Sequence, residues 1–168
     1  MFLKKDLLEK FDELNILYKI NEHEALFTVK DSEEKRGDIE GAHTKNLFLK
    51  NKKNQLFLFS CHEDTKIELK KLSKSLRLGN ISFVKESLLM EYLGVLPGSV
   101  TPFGLLNDIS NKVNFFFDSH LLTFNKINFH PLVNTSTITL NVSDFFTFLI
   151  ENKKKINMYN FENYSLVE

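Results

Sequence analysis

Three short stretches hold residues whose types and spacing suit chemistry better than packing. Gly41-Ala42-His43-Thr44-Lys45-Asn46 places a lysine and an amide directly before an apolar run. Lysine is a compact charge suited to a phosphate, and an asparagine side chain both donates and accepts. The stretch from Gly94 to Gly104 holds three of the six glycines and two of the three prolines. Glycine lets the backbone approach a ligand and adopt positive φ, and proline stiffens a turn and removes a competing donor. A turn such as Gly98-Ser99-Val100-Thr101-Pro102 can aim backbone N–H groups at an oxyanion, often the largest stabilising contribution in acyl chemistry. The third stretch, Asn128 to Thr137, is polar, carries His130-Pro131 and leads into a β-branched run.

Other routes to catalysis are missing from the sequence. It has no HExxH, no paired CxxC, no EF-hand loop, no Walker loop, no GxGxxG and no GxSxG elbow. The five histidines are scattered, and His62-Glu63-Asp64 reads as a surface turn rather than a metal site. Cys61 ends an apolar run and reads as a small buried hydrophobe. No metal and no cofactor are expected.

The elements that must position these stretches follow from periodicity. Leu3, Leu7, Leu8, Phe11 and Leu14 have helical spacing, and Thr28 with Asp31 opens a second helix. Leu47–Lys50 and Gln55–Ser60 read as a hairpin across Asn51-Lys52-Lys53-Asn54. Thr65 has capping-box spacing for a helix carrying Ile67, Leu69, Leu72 and Leu76. Ile81–Val84 is a strand, and Ser87–Leu93 is a helix ended by Gly94. A second hairpin is expected from Val113–Asp118 and Leu121–Phe124 around Ser119-His120. Ser136–Asn141 is a strand, and Ser143 caps a helix with Phe145, Phe148 and Leu149. The 17 phenylalanines are expected mainly in the core. The pattern predicts one α/β domain over residues 1–168, with a mixed, largely antiparallel sheet and surrounding helices.

Composition bounds the function. Twenty-two basic and 22 acidic residues give a net charge of zero, which argues against non-specific coating of nucleic acid. The lysine clusters at 50, 52 and 53, at 70, 71 and 74, and at 153 to 155 read first as solvated faces. One cysteine, a charged start and no apolar run of membrane-spanning length lead to the expectation of a soluble, cytoplasmic protein with no membrane partner.

Taken together, His43–Leu49, Leu93–Val95 with Pro97–Gly104, and Phe129–Pro131 with Asn134–Ser136 resemble the bacterial prolyl-tRNA editing superfamily, the YbaK-like aminoacyl-tRNA deacylases. They are most similar to its free-standing alanyl-prolyl-tRNA deacylases, and the likeness runs from about Phe27 to Leu149. The resemblance implies a compact α/β fold with a curved sheet and a shallow pocket. It implies hydrolysis of the ester that joins alanine to the terminal adenosine of mischarged Ala-tRNA(Pro), with Pro-tRNA(Pro) spared. It implies water attack assisted by the substrate's own ribose hydroxyl, which fits the missing triad. On this basis Lys45, Gly98, Ser99 and Pro102 are the catalytic candidates, and Thr44, Asn46, Val100, Thr101 and His130 would bind substrate. Lys50, Lys52 and Lys53 are candidates for holding the tRNA. The implied partner is the acceptor end of mischarged tRNA(Pro), with prolyl-tRNA synthetase as a second expected partner. Alternatives are a deacylase of the same superfamily acting on Cys-tRNA(Pro) or on Ser- or Thr-charged tRNA, and a non-catalytic module that binds tRNA or a synthetase.

Overall fold

A computed structural model describes residues 1–168. Helix α1 (Lys4–Glu13) forms on the expected apolar spacing: Leu7 and Phe11, four residues apart, share one face and are fully buried. Helix α2 (Val29–Lys35) starts where Thr28 accepts the Asp31 N–H at 3.0 Å, as its sequence predicts. It buries no residue, so it is held by its ends rather than by a core face.

Strands β2 (Ala42–Asn51) and β3 (Leu56–His62) form the first expected hairpin, paired from Thr44–His62 to Lys50–Leu56. Asn51 closes the turn, its Oδ1 accepting from the backbone of Lys53 and Gln55. Helix α3 (Leu69–Leu76), strand β4 (Ile81–Phe83) and helix α4 (Glu86–Leu93) follow, and Gly94 ends α4 in the left-handed region, as expected. Strands β6 (Lys126–Phe129) and β7 (Ser136–Asn141) pair antiparallel and lead into helix α5 (Val142–Glu151).

Four expectations are corrected. The residue preceding α3 is Glu68, not Thr65, and the residue preceding α5 is Asn141, not Ser143. The second hairpin does not form. Strand β5 (Val113–Asp118) runs parallel to β3, and Asp118 turns the chain into a 3-10 helix by accepting the His120 N–H. The apolar run Leu121–Phe124 therefore buries Leu121 from a helical turn instead of a strand. Strand β1 (Tyr18–Glu22), which pairs with β7, was not expected, and neither were β6, β8 (Asn157–Asn160) and β9 (Ser165–Leu166).

The sheet runs β1-β7-β6-β2-β3-β5-β8-β9, with β4 as a second neighbour of β2. Five pairings are antiparallel and three parallel, so the sheet is mixed and largely antiparallel, as expected. Strand alternation separates two cores. Phe48, Leu58, Phe115 and Phe117 meet α1, α4 and α5 around Phe103 and Phe145 on one face. Leu49, Phe57, Phe59, Cys61 and Phe116 meet Leu72 of α3 and Tyr159 of β8 on the other. Twelve of the seventeen phenylalanines are buried, and only Phe27 and Phe83 are exposed.

One irregularity positions the site. On its outer side β2 pairs with β6 only at Ala42 and His43, and with β4 only from Leu49 to Asn51. From Thr44 to Phe48 no strand lies on that side, so the sheet has a gap in its middle.

Candidate functional site

A cavity of about 410 Å³ opens at this gap. Its walls come from β2 (Thr44, Lys45, Asn46, Phe48), from the approach to α2 and its first turn (Leu26 to Val29, Ser32), from β4 (Phe83, Val84), from Leu89 of α4, from the turn Pro97-Gly98 with Val100, and from Glu63 and His130. The candidates separated in sequence by more than 80 residues are thus brought to one place.

Strand β2 presents two faces and an edge. Thr44, Asn46 and Phe48 share the face of their partners His62, Ser60 and Leu58, and Lys45 lies on the opposite face beside Cys61. Asn46 accepts from Ser60 Oγ at 2.5 Å, and Thr44 Oγ1 donates to the Asn128 carbonyl at 2.8 Å. The Lys45 ammonium donates to the Thr65 carbonyl. In an antiparallel ladder, successive residues point their N–H and C=O to alternate sides. The Phe48 carbonyl accepts the Val84 N–H on the outer side, so Asn46, two residues earlier, also turns its backbone toward the gap. Cys61 is fully buried; burial pushes its thiol up to about 12 against the pull of Lys45, so it is no nucleophile at neutral pH.

The glycine-proline stretch divides into two parts. Gly98 and Val100 line the cavity. Gly98 sits at φ +87, and a Cβ there would lie 2.9 Å from Phe27 Cδ1 and 3.2 Å from Asn134 Nδ2, so only glycine fits. The Ser99 N–H is committed to the Leu96 carbonyl, whereas the N–H groups of Gly98 and Val100 have no acceptor in the protein. Ser99, Thr101 and Pro102 are buried and do not line the cavity. Thr101 Oγ1 accepts the Phe103 N–H, and Pro102 opens a 3-10 helix (Pro102–Asn107). These three hold the turn in place from behind.

His130 lines the cavity with one ring nitrogen spoken for: Nδ1 lies 3.0 Å from the Ser136 carbonyl and must carry the proton. Burial lowers its pKa, the Ser136 carbonyl opposes this, and neighbouring His23 adds to the lowering. Neutral His130 therefore keeps Nε2 as an acceptor. His23 is fixed in turn by Glu24 O at 2.7 Å and Thr137 Oγ1 at 2.8 Å.

Glu63 and Arg36 were not foreseen. Arg36 grips Glu63 with two bonds of 2.7 and 2.8 Å, and both side chains are about nine-tenths buried. Burial pushes the Glu63 carboxyl up, but the hydrogen bonds and charge of Arg36 outweigh it, and the net shift is downward. The pair joins residues 27 apart, so no local spacing announces it. Phe27 and Phe83 were also missed: each has an apolar neighbour in sequence, Leu26 and Val84, so nothing local marks either as exposed. Lys50 lies in the β2–β4 ladder, Lys52 and Lys53 are exposed on the β2–β3 turn, and none of the three lines the cavity.

Residues 23–148, three-quarters of the chain, match the family model described as aminoacyl-tRNA editing domain. The chain belongs to that family. An editing domain of this kind is an aminoacyl-tRNA deacylase, a hydrolase of the ester between amino acid and tRNA. The editing domain is 36% identical over 147 residues to the prolyl-tRNA editing protein ProX of Acetoanaerobium sticklandii, covering 86% of this chain and 88% of that protein. It is 37% identical over 152 residues to prolyl-tRNA synthetase associated domain-containing protein 1 of Xenopus laevis, covering 88% and 90%. Its fold matches a crystal structure described as a candidate trans-editing enzyme for prolyl-tRNA synthetase, with TM-score 0.66, 16% identity, and 98% and 96% of the two chains covered. No helix of the editing domain is long and apolar enough to cross a membrane.

Proposed function

We propose that this editing domain acts in trans on mischarged Ala-tRNA(Pro), releasing alanine and sparing Pro-tRNA(Pro). The observation that carries the reading is the turn at Gly98 and Val100, two residues that line a cavity with an apolar wall and whose N–H groups have no acceptor in the protein. Ester hydrolysis builds negative charge on the carbonyl oxygen, and two fixed donors stabilise it more than the neutral ester. No cysteine lines the cavity, and the nucleophile in this reading is water, helped by the ribose hydroxyl beside the ester. Neutral His130 offers Nε2 to that water or to the substrate's amino group. The Lys45 ammonium, now on the Thr65 carbonyl, would exchange this neutral acceptor for a phosphate or ribose oxygen of the terminal adenosine. The names of the relatives support proline tRNA as the substrate class. A site that accepts proline rejects a smaller amino acid by only about 1–3 kcal/mol per missing methylene, which gives such a second sieve its purpose.

A deacylation panel tests this. Ala-tRNA(Pro) should be hydrolysed, with Pro-tRNA(Pro), Cys-tRNA(Pro) and Ser- or Thr-charged tRNA left largely intact. Lys45→Ala should lose about 10- to 100-fold in kcat/KM, the worth of a charge-assisted hydrogen bond, with the fold retained. Faster release of another amino acid would move the specificity, and tight tRNA binding with no release from any charged tRNA would make the chain a binding module.

A further inference from the structure

Beside the cavity, across β4, lies a second depression of about 530 Å³, lined by Lys70, Ser73, Lys74, Arg77, Asn80 and Ile81 among others. No carboxylate lines it, and none of its three cations takes part in an ion pair. In a chain with equal numbers of acids and bases, three unpaired cations in one concave groove are a local departure. Lys70, Lys74 and Arg77 stand four and three residues apart, so they form one row along α3 and its left-handed C-cap. The opposite face of α3 buries Leu72. A helix C-terminus favours a cation in its last turn, which accounts for one of the three but not for the row.

Strand β4 joins the two depressions: Ile81 lines the groove, and Phe83 lines the cavity. Two residues along a strand cover about 7 Å, the rise of two stacked nucleotides at about 3.4 Å each. Phe83 is 60% exposed and Phe27 is 65% exposed, in a protein that buries or half-buries every other phenylalanine. Phe27 is packed on Gly98 and belongs to the turn. Phe83 is the one beside the cations. A charged groove that tracks a backbone, followed by an aromatic ring on which a base stacks, is the arrangement that grips single-stranded nucleic acid without reading its sequence.

We propose that β4 guides the single-stranded 3′ end of the tRNA into the cavity: Phe83 stacks a base at the mouth, and Lys70, Lys74 and Arg77 hold backbone phosphates in the adjacent groove. This rests on the proposed function for the identity of the strand. The occupant is the strand just before the acylated end, and the groove gives binding without chemistry.

The test uses the intact chain with uncharged tRNA(Pro), Ala-tRNA(Pro) and 3′-alanyl-adenosine, which is too short to reach the groove. For the triple variant Lys70→Gln/Lys74→Gln/Arg77→Gln, the slope of log affinity for uncharged tRNA against log salt should fall in magnitude by about 2, at about 0.7 for each phosphate no longer neutralised. Its KM for Ala-tRNA(Pro) should rise with kcat kept, and its rate on alanyl-adenosine should not change. Phe83→Ala should weaken tRNA binding about 5-fold or more. The chain has no tryptophan, so Phe83→Trp supplies a sole tryptophan, excited selectively to the red of the tyrosine absorption, whose fluorescence should be quenched by tRNA. An unchanged salt slope in the triple variant, or no quenching at position 83, overturns the proposal. If the wild type binds tRNA through these residues but hydrolyses no charged tRNA, the guide stands and the deacylase reading falls.

Discussion

Replacing Arg36 by alanine probes the site through a pair that the sequence hid. The guanidinium holds Glu63 with two short bonds, and the two side chains retain only 11% and 10% exposure. Removing one partner of a buried pair leaves an uncompensated charge and costs about 3–5 kcal/mol. For a chain of this size, each kcal/mol lowers Tm by about 2–4 °C, so Arg36→Ala should lose roughly 6–20 °C at pH 7. The pH dependence supplies a sharper readout. In the wild type the folded Glu63 pKa lies below its ordinary value of 4.5, so its contribution is present above pH 4.5 and lost as pH falls through the folded value. Without Arg36, burial is the largest influence and only the charges of His43 and His62 oppose it, so the folded pKa should rise above 4.5, and stability is instead lost as pH rises through it. Relative to the wild type, Arg36→Ala should therefore recover as the solution is acidified toward pH 4.5. Adding Glu63→Gln should restore much of the loss at pH 7, because the buried charge is gone. Thermal melts of the three variants across pH 4 to 8 measure this. A loss under about 1 kcal/mol at pH 7, the worth of a solvated surface pair, would refute the reasoning, as would a destabilisation that does not depend on pH.

Two further outcomes follow from the cavity walls. Gly98→Ala forces a side chain into positive φ and onto Phe27 and Asn134; it should cost about 1–3 kcal/mol and, by displacing the N–H donors, about 100-fold in kcat. Gly37→Ala, at φ +69 with nothing within 4 Å, should show the strain alone in a melt and keep its activity. An active Gly98→Ala would remove the turn from the chemistry. His130 and His43 both have pKa values lowered first by burial, so their contribution to stability is present above pH 6.5 and is lost as pH falls through their folded values. Hydrolysis should fall along an acid limb with an apparent pKa below 6.5, and His130→Gln should abolish that limb. A limb that survives the substitution assigns it elsewhere.

What was legible in the sequence was what local chemistry dictates. The Thr28 cap, the Asn51 turn and the Gly94 stop each act within four residues, and each forms as written. Lys45-Asn46 and Gly98 announced themselves because their types do not suit a core, and both line the cavity. The failures are tertiary. The run Leu121–Phe124 has the apolarity of a strand, but Asp118 caps a helical turn before it, and β5 finds its outer partner in the distant β8. The glycine-proline stretch signalled a turn, but which of its amides stay uncommitted depends on the Leu96 carbonyl taking the Ser99 N–H. The Arg36–Glu63 pair and the exposed Phe83 become meaningful only once α2 and β4 are both brought to the gap beside β2.

The gap in the sheet has a consequence for solubility as well as for binding. Unpaired strand edges recruit foreign strands and seed aggregation. The open edge of β2 runs only from Thr44 to Phe48, between β6 at one end and β4 at the other. Five residues of strand cover about 16 Å, too short a berth for the six- or seven-residue segments that stack into amyloid-like ladders. The two flanking strands thus act as end stops, and the slot between them is too short for a foreign strand of that length. Unpairing β4 would lengthen the berth toward Asn51 and favour self-association.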